Sequence, residues 1–212
     1  MYKIHLKYLV NFNLIKTKYY KTKNNLVLLG KLKNNKIKIS GDNNYLYIGK
    51  NSIVRNTNII IRGNNNELYI RDNCTIENSQ IIFDNENSKI LIGKNVSIAK
   101  ALIVSLEPFK ISIGDNCMIS YEVEIRNTDS HMIYDINTNK RINEGAEVII
   151  ENSVWIGAHS VILKGVKINS NSIIAAGSIV SKNVNSNTIV AGNPAKEIKN
   201  NIYWTREEVM KR

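Results

Sequence analysis

The sequence predicts an all-β fold, a parallel β-helix in which short strands form three-sided coils that stack on one another. Three observations carry this prediction. Aliphatic residues recur every six positions in the C-terminal half, a longer unit recurs every 21 or 22 positions before it, and asparagine is in excess. An α-helix has a period of 3.6 residues and an ordinary strand a period of two, so neither explains a repeat of six.

The six-residue repeat keeps its register from Ile150 to Val180, through Ile156, Ile162, Ile168 and Ile174. Four residues after each aliphatic position lies a small or β-branched residue: Val154, Ser160, Val166, Ser172, Ser178 and Val184. A coil with three sides of six residues points each aliphatic side chain inward, and the next coil lies about 4.8 Å further along. The inward residues then stack in columns and form a continuous core.

The earlier part of the chain carries the same unit with a longer period. An Ile-x-x-Asn sequence recurs at intervals of 22, 22 and 21 residues, at Ile48–Asn51, Ile70–Asn73, Ile92–Asn95 and Ile113–Asn116. The additional residues fit corner extensions such as 63–66, since asparagine tolerates tight turns. The coils are expected to begin near residue 26 and to end near residue 192.

Three segments follow from this pattern: a β-helix over 26–192 with a loop insertion at 127–147, an N-terminal segment 1–25, and a C-terminal tail 193–212. In the first segment, apolar residues from Ile4 to Tyr19 lie on one helical face, which predicts a basic amphipathic helix. Thr205 followed by Glu208 resembles a capping box and predicts a short C-terminal helix.

The formal charge of +11 is concentrated at the N-terminus, because residues 1–40 contain ten lysines and no carboxylate. Such a segment is either a solvated basic surface or a surface that attracts a polyanion: nucleic acid, a lipid surface or an acidic polysaccharide. No nucleic-acid-reading motif is present, so nucleic acid is not expected as a partner. No transmembrane span or signal peptide is expected from the residue pattern, which favours a cytoplasmic location. The amphipathic helix leaves open peripheral association with the inner face of the membrane.

The two cysteines, Cys74 and Cys117, occupy equivalent inward positions two coils apart. Two coils correspond to roughly 10 Å along a column. A disulfide requires Cα atoms closer than about 7 Å, so both are predicted to be buried free thiols, as in a reducing cytoplasm.

One insertion interrupts the repeat, and it contains His131. A loop of about twenty residues in a compact domain is uncommon unless it is functional or disordered. Of the other two histidines, His159 lies on an outward-facing side of the regular repeat and His5 lies in the basic segment. No Cys/His cluster has the spacing of metal ligands, so no metal is expected. Asp129 and Asp135 are each either a group that orients the imidazole or a solvated loop residue.

Small residues stack one coil apart after the loop: Gly157 with Ala175, and Ala158 with Ala176. A column of small residues exposes main-chain groups, along which a long thin ligand such as pantetheine could lie. Lys182, Lys196 and Lys199 follow at the far end, where they suit phosphate groups.

The sequence resembles the hexapeptide-repeat (left-handed β-helix) acyltransferases over most of residues 40–200. It is most similar to galactoside and maltose acetyltransferases and to bacterial capsule and sialic-acid O-acetyltransferases. The segments that carry the resemblance are Asp129–His131, Asn152–Ala158, Ile162–Val166, Ala175–Lys182 and Ala191–Lys196. The left hand of the coil is implied by this resemblance.

The resemblance also implies residue roles. His131 would be the catalytic base, and Trp155, 24 residues later, would flank the acetyl thioester or gate the acceptor. Ala158 and Ala176 would bind the pantetheine of acetyl-CoA through their backbone, with Gly157 or Ala158 as oxyanion donor. The nucleotide end would be held by the following polar residues: Ser181, Lys182, Lys196 and Lys199. The family is usually trimeric, with active sites between subunits, so a homotrimer is expected.

The function implied is acetyl-CoA-dependent O-acetylation of a bacterial capsular or surface polysaccharide, with sialic acid as a candidate sugar. Two alternatives stay open at this point. One is N-acetylation of a nucleotide-linked amino sugar, and the other is a non-catalytic β-helix that binds polysaccharide or acts as a scaffold. The loop continues Met132–Asp135 after the histidine, unlike the sugar-acetyltransferase version, so the acceptor is not defined by the resemblance.

Overall fold

A computed structural model describes residues 23–207, which form 23 β-strands in three sheets. The chain passes through the first, second and third sheet in turn and re-enters the first sheet one layer further on. Seven complete turns of three strands arise in this way within the described residues, and their neighbours pair in parallel. The predicted all-β fold with stacked three-sided coils is therefore confirmed.

From β1 to β21, successive strands of each sheet are separated by two other strands along the chain. The first sheet contains β1 (Asn25–Leu28), β4 (Tyr45–Ile48), β7 (Glu67–Ile70), β10 (Lys89–Ile92), β13 (Lys110–Ile113), β16 (Val148–Ile150) and β19 (Lys167–Ile168). The second contains β2 (Lys31–Lys33), β5 (Ile53–Arg55), β8 (Thr75–Glu77), β11 (Ser97–Ile98), β14 (Met118–Ile119), β17 (Trp155–Ile156), β20 (Ile173–Ile174), β22 (Ile189–Ala191) and β23 (Lys196–Lys199). The third contains β3 (Lys36–Ser40), β6 (Asn58–Arg62), β9 (Gln80–Asp84), β12 (Ala101–Ser105), β15 (Val123–Arg126), β18 (Val161–Ile162) and β21 (Ile179–Val180).

The strand register follows the two repeats. Ile48 pairs with Ile70, Ile70 with Ile92, and Ile92 with Ile113 in the first sheet. The six-residue repeat places successive aliphatic residues in successive sheets. Ile150 lies in the first sheet, Ile156 in the second and Ile162 in the third. Each aliphatic residue then faces the equivalent residue of the next turn, as the periodicity predicts.

The core is a set of inward columns that are almost entirely aliphatic. Ile48, Ile70 and Ile92 are each fully buried, and Phe83 is the largest fully buried side chain. Each fully buried aliphatic side chain contributes about 1.5–3 kcal/mol relative to an exposed one. Cys74 and Cys117 lie in this core as free thiols, which confirms the prediction. Burial raises the pKa of both thiols, that of Cys117 to about 11.

Asparagine forms the corners because it accepts a left-handed backbone. Fourteen asparagines among the described residues have φ between 49° and 61°. Successive corner side chains bond to each other; Asn51 Nδ2 donates to Asn73 Oδ1 at 3.3 Å, and Asn95 Nδ2 donates to Asn116 Oδ1 at 3.1 Å. The asparagine excess therefore has a conformational cause.

The ends of the described chain depart from the parallel pattern. After β22 the chain turns back and β23 pairs antiparallel with it. The predicted N-terminal helix lies outside the described residues except for 23–25, where Asn25 begins β1. Of the predicted C-terminal helix, residues 205–207 are not helical and the rest lies outside the described part. No helix long and apolar enough to cross a membrane occurs within residues 23–207.

The left-handed corners make a stability prediction at Asn73, where φ is 60°. Both Asn73→Ala and Asn73→Gly remove the side-chain bond to Asn51, but only alanine has a Cβ that opposes this φ. The alanine variant is expected to be less stable than the glycine variant by about 1 kcal/mol. Denaturant unfolding of both, with Lys94→Ala as an exposed corner control, measures the difference. Equal stabilities would contradict the conformational explanation.

Candidate active site

The long loop, residues 127–147, leaves the solenoid between β15 and β16, at the corner between the third and first sheets. It folds back on itself, since Tyr134 and Arg141 form an antiparallel bridge. Asp135 builds the tip, where its Oδ1 accepts hydrogen bonds from the backbone N–H groups of Asn137 and Thr138. The interruption of the repeat is thus an ordered hairpin beside the stack.

His131 lies at the start of this hairpin with an exposed side chain. A single buried amide holds the backbone on both sides of it. Asn143, 8% exposed, donates from Nδ2 to the His131 carbonyl at 2.8 Å, and its Oδ1 accepts the Ile133 N–H at 2.7 Å. The preceding residue, Ser130, has φ of 68°. The backbone of the predicted base is therefore fixed while its imidazole projects outward.

The two aspartates considered as partners of the imidazole have other roles. Asp129 Oδ2 lies 2.7 Å from Lys164 Nζ and accepts from Asn143 Nδ2 at 3.0 Å. These bonds, that of Lys164 first, lower the pKa of Asp129. Asp135 caps the hairpin tip. No residue among 23–207 hydrogen-bonds to the His131 imidazole, so within the described chain neither aspartate orients it.

Glu107 clamps the base of the loop from the corner one turn earlier. Its carboxylate accepts hydrogen bonds from Arg141 Nη2 at 2.7 Å, from Thr128 Oγ1 at 2.9 Å and from the Gly145 N–H at 3.0 Å. Arg141 is the main reason that the pKa of Glu107 falls to about 2. One carboxylate thereby joins both ends of the loop.

Sequence reasoning missed Glu107, Asn143 and the Lys164–Asp129 ion pair as parts of the site. The bond from Gly145 to Glu107 spans 38 residues, and that from Arg141 spans 34. Neither interval is a multiple of the repeat. A lone polar residue in a corner carries no periodic signal, so no pattern in the sequence could have identified these contacts.

The small-residue column lies at a different corner, between the second and third sheets. The Gly157 N–H is already used, since it donates to the Ile174 carbonyl at 2.8 Å. No group among residues 23–207 accepts the N–H of Ala158 or of Ala176, and these two residues lie one turn apart. A Cβ on Gly157 would approach the Ala176 nitrogen to 2.6 Å, so only glycine fits there. Two main-chain donors are therefore available to a ligand at this corner.

Trp155 begins β17 in the second sheet and is 38% exposed. Its ring lies against that of Trp204, with centroids 5.9 Å apart and planes inclined by 47°. Trp155 precedes Gly157 by two residues and Ala158 by three, so it lies on the same turn as the N–H of Ala158. Trp204 itself was not identified from the sequence.

The predicted phosphate-binding residues lie toward the C-terminal end of the stack. Ser181 and Lys182 follow β21 at the corner of the long loop, and Lys196 and Lys199 bound β23. All four are exposed. Ser181 and Lys182 lie at one edge of the third sheet, and the column of Ala158 and Ala176 lies at its other edge. The predicted phosphate-binding pair and the small-residue column therefore border the same face of the solenoid but lie at different corners.

His159, which was expected on the surface, occupies the corner next to Ala158 with φ of 59°. Its Nδ1 lies 2.9 Å from Glu122 Oε2, and its ring meets the Tyr121 ring edge-on at 5.4 Å. Its polar contact is thus with the corner of the preceding turn.

Within residues 23–207, no three His, Cys, Asp or Glu side chains are grouped so that they could hold a metal ion.

The described chain does not bring all the predicted site residues together. His131 projects from the corner between the third and first sheets, whereas Trp155, Ala158 and Ala176 lie on the second sheet and on its corner with the third. A single copy therefore presents the predicted base and the main-chain donors at two separate places.

A parallel solenoid built on a six-residue repeat defines the class of hexapeptide transferases. Residues 147–182 match the family described as bacterial transferase hexapeptide (six repeats).

Solved structures extend this likeness along the chain. The polysialic acid O-acetyltransferase OatWY has a TM-score of 0.84 and 33% identity, covering 90% of this chain and 91% of that one. The polySia-specific acetyltransferase NeuO has a TM-score of 0.81 and 36% identity, covering 90% and 88%. The chain therefore belongs to the hexapeptide-repeat acetyltransferase family.

Sequence similarity to curated proteins is more local. The polysialic acid O-acetyltransferase of Escherichia coli O1:K1 / APEC is 42% identical over 98 residues, which are 46% of this chain and 32% of that protein. The matched part thus spans about a third of the length of this relative.

Glu107 provides a pH-dependent test of the loop clamp. Because folding lowers the pKa of Glu107 from 4.5 to about 2, its stabilisation is complete above pH 4.5 and is lost as the pH falls toward 2. Glu107→Gln is expected to destabilise the protein by about 3 kcal/mol at most at pH 7, and by much less near pH 2. Thermal unfolding across this range measures the effect.

The control is Glu144→Gln, which removes an exposed carboxylate from the same loop. A destabilisation by Glu107→Gln that stays constant from pH 7 to pH 2 would show that ionisation of Glu107 does not support the clamp.

Proposed function

We propose that this protein is an acetyl-CoA-dependent O-acetyltransferase that modifies a sugar hydroxyl of a bacterial capsular or surface polysaccharide that contains sialic acid. The observation that carries the proposal is the likeness, over about nine-tenths of the chain, to two solved polysialic acid O-acetyltransferases. The loop with His131, the exposed ring of Trp155 and the open N–H groups of Ala158 and Ala176 supply the groups that such a reaction requires.

The proposed chemistry is a direct transfer. A sugar hydroxyl is a weak nucleophile, so His131 removes its proton as the oxygen attacks the thioester carbonyl. The N–H of Ala158 donates to the developing oxyanion, since that of Gly157 is already occupied. The carbon–sulfur bond then breaks, and the imidazolium returns the proton to the leaving thiolate. No covalent enzyme intermediate is needed.

The co-substrate is proposed to lie along the small-residue column. Pantetheine is long, thin and rich in amides. The N–H of Ala176 suits one of its amide carbonyl oxygens, while the N–H of Ala158 lies toward the carbonyl oxygen of the thioester. Lys182, Lys196 and Lys199 are exposed cations that suit the phosphates, with Ser181 as a further donor.

The assembly is proposed to be a homotrimer with each site between two copies. Two features support this. The base and the main-chain donors lie at different corners of one chain, so a second copy can bring them together. The loop of His131 also exposes a set of large apolar side chains by 52–95%, namely Met132, Ile133, Tyr134, Ile136 and Ile142. Exposed apolar clusters of this kind mark protein contacts.

A cytoplasmic location is part of the proposal, because both cysteines are free and buried and cytosolic proteins keep thiols reduced.

The central test follows thiol release from acetyl-CoA in the presence of bacterial polysaccharides, with polysialic acid as the first acceptor. His131→Ala is expected to keep the fold and the affinity for CoA but to lower acetyl transfer at least about a hundredfold, the range of general-base catalysis. His159→Asn is the matched control, because asparagine retains the left-handed corner. It should stay within a few-fold of wild type.

Unchanged turnover in folded His131→Ala would end the assignment of the base. Mild alkali removes an acetyl ester from the product but leaves an acetamide intact. An alkali-stable product would therefore favour an amine acceptor over a hydroxyl.

Lys182→Ala tests the nucleotide end of the slot. An exposed charge contact is worth about 1 kcal/mol, so CoA binding should weaken roughly fivefold. Isothermal titration with CoA measures this, with Lys94→Ala as a control on an earlier corner. If Lys182→Ala binds CoA normally and only the KM of the acceptor rises, the proposed CoA slot has been assigned to the wrong side of the site.

A further inference from the structure

The C-terminal strap, residues 202–207, runs along the corner between the first and second sheets toward the earlier turns. It begins at the last turn, where Ile202 and Asn187 are joined by two hydrogen bonds of 3.0 Å. It then reaches Ser153 through Trp204, and Cys117 and Asn95 through Arg206. The strap thus contacts several turns whose strand pairing does not involve it.

Trp204 docks on the turn that carries Trp155. Its indole N–H donates to the Ser153 carbonyl at 2.7 Å, and its ring lies 5.9 Å from that of Trp155 at an inclination of 47°. Tilted aromatic pairs at this distance are favourable by about 0.5–1.5 kcal/mol beyond their buried area. The hydrogen bond therefore holds the Trp204 ring in place, and the ring contact puts it against one side of the Trp155 ring.

Arg206 anchors the strap beyond Trp204. Its guanidinium donates to the carbonyls of Cys117 at 2.6 Å, Asn95 at 3.0 Å and Asn116 at 3.3 Å, and to Ser97 Oγ at 2.9 Å. Hydrogen bonds from a charged donor are stronger than neutral ones. The strap is thus held at both ends, with Trp204 between Ile202 and Arg206.

Trp155 needs such support because the solenoid alone leaves it on an outer face. Its strand has two residues, and its neighbours in the sheet are Met118 and Ile173. A large ring that is 38% exposed has alternative staggered rotamers unless a neighbour excludes them. Trp204 supplies that neighbour.

We propose that Trp204, held by Arg206, is a positioning residue that orients the Trp155 ring for acetyl transfer. The inference rests on the proposed function, in which Trp155 flanks the thioester or the acceptor. Trp204 acts through Trp155. Its loss should therefore impair turnover more than binding of acetyl-CoA, which depends on the backbone of Ala158 and Ala176.

The test compares Trp204→Ala, Trp204→Phe and Arg206→Ala in the full chain, with Tyr203→Ala as the control. Tyr203 lies in the same strap but is 83% exposed. Trp204→Ala should lower kcat about tenfold with the KM of acetyl-CoA within twofold, since misplacement of a group near the reacting atoms costs rate. Trp204→Phe should recover most of this loss, Arg206→Ala should reduce kcat less, and Tyr203→Ala should match wild type.

A spectroscopic measurement separates positioning from general instability. The chain has two tryptophans, so each Trp204 variant leaves Trp155 as the only one. Acrylamide should quench Trp155 fluorescence more strongly in Trp204→Ala than in Trp204→Phe, while circular dichroism of the folded state and the Tm remain close.

The outcomes distinguish failure of the proposed function from failure of the positioning role of Trp204. Wild-type protein that transfers no acetyl group to any acceptor overturns the proposed function and the positioning role with it. Active wild type together with fully active, folded Trp204→Ala overturns only the positioning role. So does an equal loss in Trp204→Phe and Trp204→Ala, because a ring should suffice to support Trp155.

Discussion

The register of the stacked turns is the constraint on which the rest of the structure depends. Each described turn places its inward aliphatic residues against those of the turn before, as Ile48, Ile70 and Ile92 do. A shift of one residue in the register of a strand would move all its inward side chains to the outer face, because side chains alternate between the two faces of a strand. Additional residues can therefore enter only at corners. The 22-residue turns, the asparagine corners and the long loop are all consequences of this rule.

The same rule explains why the candidate chemistry is found at corners. Within a sheet, backbone N–H groups are used in the parallel ladder. At the corner after β17 and β20, those of Ala158 and Ala176 find no acceptor among the described residues. The long loop departs from another corner, and its base is fixed by Glu107 from the turn beneath. The solenoid contributes rigid edges, and the corners and the loop that departs from them carry the candidate functional groups.

The sequence allowed prediction of what repeats and not of what occurs once. Strand order and the inward columns follow from spacing, because they recur in every turn. The free thiols and the place of the loop follow from comparing the remaining residues with that register. The clamp at Glu107, the amide of Asn143 and the pairing of Trp155 with Trp204 are single contacts. Trp204 binds the Ser153 carbonyl 51 residues away, and Arg206 binds that of Cys117 89 residues away. Such contacts depend on where non-repeating segments cross the stack, and only the structure shows this.

The separation of the predicted base, His131, from the main-chain donors also bears on assembly. In one copy, His131 and Ala158 are at different corners of a triangular prism, and the aliphatic core that fills the prism cannot admit a ligand between them. If the two corners act together, one corner of a copy must face the other corner of the next. Where a two-fold axis does not pair the two corners reciprocally, this contact is heterologous, and repeated heterologous contacts either close into a ring or continue as a filament. Three prisms with parallel axes close such a ring, because each supplies one corner and receives the other. The proposed homotrimer is thus a closed arrangement of parallel prisms in which each predicted base can meet a set of donors.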